Sequence, residues 1–141
     1  MKKRISTLVA ATIFLVGTAH GAERAFFCEY KSGYGGWTPE AALFVFDEEK
    51  GTAEAYDYWI KTMHSKPIAV DMSRASTQRI QLNWRLNKIP SKFRGGETQL
   101  VDVNYRATIN LKTKQGTVRV TPTVDVLNNT KASGKCREVQ P

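Results

Sequence analysis

The chain has 141 residues, of which 41% are hydrophobic and 24% charged. That length and apolar share suffice for one domain with a core of its own. The formal charge of +8 favours anionic partners and works against cationic ones, while the two cysteines and His64, the one histidine past residue 21, cannot fill a tetrahedral zinc site without carboxylates.

The first 21 residues read as a secretory leader of bacterial cast. "MKKR" is basic, "ISTLVAATIFLV" is apolar, and "GTAHGAE" supplies small residues, with cleavage expected after Gly21. The apolar run is short for a membrane span. Residues 22–141 then form one domain of 120 residues with a charge of +5. That charge is lopsided: −5 over residues 22–60 and +10 over residues 61–141. Export places the protein in the periplasm or outside the cell. It makes lipid head groups, acidic glycans and acidic proteins the anionic partners to consider, with contact at a membrane surface compatible and nucleic acid not expected.

"AFFCEY" is the first expected strand and carries Cys28. "YKSGYGGW" follows as a glycine-rich connection holding Tyr34 and Trp37. Its glycines lack the spacing of a phosphate-cradling fingerprint. "AALFVF" is a continuous apolar run, short enough for a buried strand, and "DEEKGT" is a hairpin turn with Gly51 at the positive-φ position. Residues 53–64, "AEAYDYWIKTMH", are ambiguous: Tyr56, Trp59, Ile60 and Met63 have helical spacing, yet the aromatics favour a strand. The hairpin signal before them decides for a strand. "KPIAVDM" is a further short strand.

Beyond it the period of two is clean. Ile80, Leu82, Trp84 and Leu86 share one face of "RIQLNWRL", and Val101, Val103, Tyr105, Ala107, Ile109 and Leu111 share one face of the next run. Between them "LNKIPSKFRGGET" reads as a long loop. "KTKQGT" reads as a hairpin turn at Gly116, and "TVRVTPTVDV" as a strand interrupted by Pro122, hence an edge or a bulge. "NNTKASGK" reads as a polar loop before Cys136; its sequon at Asn128 is not expected to carry a glycan.

The sum is an all-β domain: a small antiparallel meander of seven or eight strands, closed or nearly closed into a barrel of lipocalin-like outline, with a β-sandwich as the alternative. The two cysteines favour closure. In an oxidising compartment Cys28 and Cys136 are expected to pair, which needs α carbons within about 7 Å. That brings the first strand to the last.

No catalytic set assembles in the sequence. His64 is the one histidine beyond the leader, and no nucleophile elbow accompanies it. No cofactor or metal is expected. Two binding surfaces are. One is the loop bearing Lys88, Lys92, Phe93 and Arg94, with Arg79, Arg85, Arg106 and Arg119 on the polar faces of the neighbouring strands. Arginine suits phosphate and carboxylate because its fork donates paired hydrogen bonds. The other is a barrel mouth rimmed by Tyr34, Trp37 and Trp59, which would serve a carrier of a small apolar ligand. In outline, an exported barrel tied end to end by a disulfide resembles the periplasmic lysozyme inhibitors and the lipocalin-like carriers. Ser32-Gly33-Tyr34 and Ser133-Gly134-Lys135 begin like the S-G-x-x-Y segment of the C-type inhibitors, and both depart at its tyrosine. That resemblance implies a third reading, inhibition of a secreted hydrolase.

Overall fold

The computed structural model describes residues 23–31, 36–126 and 130–141. The expected leader, residues 1–21, and Tyr34 and Asn128 lie outside them. The elements are β1 (Glu23–Lys31), β2 (Ala41–Asp47), β3 (Thr52–Asp57), α1 (Tyr58–His64), β4 (Ile68–Arg74), β5 (Arg79–Lys92), β6 (Thr98–Asn110), β7 (Gln115–Pro122) and β8 (Lys131–Val139). The eight strands pair antiparallel in sequence order, and β8 returns to β1 to close a barrel. Closure excludes the sandwich.

The seam is fixed covalently. Cys28 and Cys136 lie directly opposite each other in the β1/β8 register and are joined by a disulfide, with α carbons 3.9 Å apart. Both sulfurs point into the core.

Alternation builds that core. Ile80, Leu82, Trp84 and Leu86 of β5 and Val103, Tyr105, Ala107 and Ile109 of β6 are all buried. Aromatic rings then fill the axis. Phe26 stacks on Phe46 at 5.7 Å, Phe44 meets Trp84 at 5.8 Å, and Trp84 stacks on Tyr105 at 5.2 Å. β2 is not buried on both sides as its apolar run predicts. Leu43 and Val45 are half-buried on the outer face, while Ala42, Phe44 and Phe46 point inward.

Other local readings change as well, each for a physical reason. Residues 53–64 are a strand only as far as Asp57. There the Asp57 carboxylate accepts a hydrogen bond from the Ile60 N–H at 2.8 Å, an N-cap that starts α1. "LNKIPSKFRGGET" is not a long loop. β5 and β6 run through it as a paired hairpin, leaving only residues 93–97 as the turn. The alternation slips because Asn87 and Lys88 together lie opposite Asp102, a β-bulge with Lys88 at φ 58°. Asp102 accepts from the Lys88 N–H at 2.9 Å and so holds the bulge. Ile89 is thereby buried and Phe93 half-buried, which removes them from an exposed tip.

The β6–β7 turn is made by Asn110, not by Gly116. The Asn110 side-chain oxygen Oδ1 accepts from the N–H groups of Lys112 and Thr113, both at 3.0 Å, and Lys114 takes the positive φ. Gly116 sits in β7 because a Cβ there would come within 2.5 Å of Cys136 Sγ. Pro122 ends β7 as an edge position: it pairs with Val103 of β6 and lies past the last rung to β8 at Arg119↔Lys131. Gly51 does take positive φ, in a turn where Asp47 accepts from Glu49 and Lys50.

Candidate functional site: a cationic row across five strands

Register, not sequence proximity, assembles the most unusual surface. Asp71 pairs with Asn83, Asn83 with Arg106, Arg106 with Arg119, and Arg119 with Lys131. These five residues therefore form one row across the outside of β4–β8. Neighbouring strands are about 4.8 Å apart, so three cations stand side by side at that spacing. Like charges placed directly opposite destabilise a sheet.

Four cations elsewhere are paired, while Arg79, Lys92, Lys135 and Arg137, like the cations of the row, are in no ion pair among the described residues. Arg24 bridges Glu138 at 2.8 Å, Lys114 reaches Glu138 at 3.9 Å, and Arg74 pairs with Glu48. Arg85 is held by Asp102 at 2.9 Å and by Asn87 at 2.9 Å. The Lys88 N–H and the Arg85 guanidinium keep the Asp102 carboxyl below its usual range. These pairs are exposed and contribute little to stability. Among the described residues, Arg106, Arg119 and Lys131 have no carboxylate within ion-pairing distance. Arg106 Nε donates to Asn83 Oδ1 at 3.2 Å, which orients its fork and leaves its outer nitrogens uncommitted.

Two grooves flank the row and share its arginines. One, of about 500 Å³, is lined by Asp71, Asn83, Arg85, Asn104, Arg106, Arg119 and Thr121, with Trp84 and Tyr105 beneath. The other, of about 280 Å³, is lined by Arg106, Thr108, Thr117, Arg119 and Lys131 above Val118. On that side a second row follows: Ser73, Gln81, Thr108, Thr117 and Ser133, again paired strand to strand. A positive floor thus lies beside a line of hydroxyls and an amide.

Of the residues expected from sequence, Arg85, Arg106 and Arg119 meet at these grooves. Arg79 is on the same face but at its margin, opposite Asn110. Lys88 sits in the bulge, Lys92, Phe93 and Arg94 belong to the hairpin beyond it, and none of the four lines either groove. Lys131, Asn83, Asn104, Thr108 and Thr117 are the members that sequence reasoning missed. Lys131 was hidden in an apparent polar loop, although inward Ala132 and Cys136 keep the strand period.

At the barrel mouth, a cleft of about 530 Å³ separates the segment 36–41 from α1, lined by Thr38, Pro39, Glu40, Tyr58 and Trp59 among others. Trp59 is on this rim as expected, whereas Trp37 is buried beside it. Inside lies buried Asp57. Its Oδ2 and the hydroxyls of Tyr30 and Tyr105 make no hydrogen bond among the described residues. Burial pushes Asp57 up to about 6, against the opposing pull of the Ile60 and Trp59 N–H groups. Burial, reinforced by the Asp57 charge, also raises Tyr30 and Tyr105 above the ordinary phenol value. His64 ends α1 in solvent, outside this set. Among the described residues no group of three His, Cys, Asp or Glu side chains is placed to hold a metal ion.

Compared with protein-family models, curated proteins and solved structures, the chain matches none.

Proposed function

We propose that this chain is an exported, non-catalytic binding protein that takes an anionic partner on the outer face of β4–β8. The observation that carries the reading is the unneutralised row Arg106–Arg119–Lys131 between two grooves. Its mutual repulsion is relieved when an anion sits on it. The leader-like start and the Cys28–Cys136 disulfide support an oxidising compartment. Rings packed along the barrel axis support an outer binding face over a carrier's inner chamber.

Arg106→Glu together with Arg119→Glu is expected to weaken binding to polyphosphate or oligogalacturonate by about tenfold or more at low salt. The salt dependence of the residual binding flattens. Lys92→Glu with Arg94→Glu, on the hairpin, is expected to have a much smaller effect. Isothermal titration calorimetry across a salt series reads both. Equal affinities in all three proteins, or a larger loss from the hairpin pair, would remove the sheet face as the site.

A further inference from the structure

We infer that the partner is an acidic oligosaccharide lying along the cationic row, across the strands. This rests on the anionic-partner reading above and names its chemistry. The step between successive cations is the strand spacing of about 4.8 Å, close to the advance of one sugar in an extended glycan. The second row lies two residues further along each strand, roughly 7 Å away. That separation places Thr108, Thr117 and Gln81 where ring hydroxyls point when the acid groups face Arg106, Arg119 and Lys131. Arginine forks take carboxylates in pairs, and the amides and hydroxyls both donate and accept, as sugar hydroxyls require.

The face lacks what the other polyanions need. Single-stranded nucleic acid binds by stacking on aromatic platforms. Here Trp84 and Tyr105, the aromatics next to the arginines, are buried and point inward. A protein partner wants aromatic or aliphatic anchors at the centre of the patch. A bilayer wants an apolar flank. Among the described residues the exposed large hydrophobics are Tyr58 and Leu100, and neither lines these grooves.

The test compares oligogalacturonate with maltohexaose, polyphosphate and phosphatidylglycerol vesicles, using the intact protein. Oligogalacturonate is expected to bind most tightly and maltohexaose at least about tenfold more weakly. Thr108→Val with Thr117→Val removes two hydroxyls and keeps strand-forming side chains. It is expected to lower oligogalacturonate affinity about fivefold or more and polyphosphate affinity by about twofold or less. Circular dichroism confirms that the fold persists. If polyphosphate or the vesicles bind as tightly as oligogalacturonate, or the threonine pair affects all anions alike, the oligosaccharide is overturned and an anion site remains. If no anion binds, both readings fall.

Discussion

Cys28→Ala combined with Cys136→Ala is expected to lower the unfolding free energy by about 4–5 kcal/mol. The disulfide joins residues 108 apart in sequence, so it removes a long loop from the unfolded ensemble. It also sits on the one pairing that hairpins do not enforce. Seven of the eight ladders join neighbours in the chain, whereas β1/β8 joins its two ends. Without the bond, that seam must close against the full loop entropy. For a domain of this size the melting temperature should fall on the order of 15 °C. Urea unfolding of the oxidised protein and the double variant measures the difference. A change below about 1 kcal/mol would mean that the β1/β8 ladder closes the barrel unaided.

Asp57→Asn is expected to stabilise the protein at neutral pH. Burial raises the folded-state value from 3.8 to about 6, so the fold prefers the neutral acid. The stabilising contribution of that neutral form is complete below about pH 4 and is lost as pH rises through 6. Above that the charged form is worse by about 3 kcal/mol, the free-energy equivalent of the shift. The groups that face it are Tyr30 from β1 and Tyr105 from β6, and both remain neutral phenols across this window. Asparagine keeps an oxygen to cap α1 at the Ile60 N–H and removes the charge. The stability gap between variant and parent should therefore widen from pH 4 to pH 7 and then level off. A gap independent of pH, or a destabilised variant at pH 8, would show that Asp57 is solvated or paired in solution.

Much of this architecture is written in local pattern. The alternation of β5 and β6 assigned their inward faces correctly, because one side of each strand meets the core and the other meets water. The cysteine positions at the chain's two ends pointed to closure, because a disulfide is a distance constraint. The departures arise where a single side chain overrides the period. Asp57 stops a strand by capping a helix, and Asp102 holds a bulge that turns an apparent loop into hairpin. Gly116 resembles a turn residue, yet it is small because a sulfur lies over it. The candidate site was half legible. Alternation put Arg85, Arg106 and Arg119 on the outer face. Only register sets Lys131 beside Arg119 and Thr108 beside Thr117, and register is a property of paired strands, not of one strand's sequence.

The central claim is that an anion is held by the row across β4–β8. Backbone amide resonances followed during titration of the isotope-labelled protein with oligogalacturonate test it most directly. The account predicts saturable shifts centred on Asn83, Arg106, Thr108, Thr117, Arg119 and Lys131, with β2 and β3 unaffected. Shifts concentrated at residues 92–94 of the hairpin, or at Thr38 and Trp59 of the barrel mouth, would contradict it.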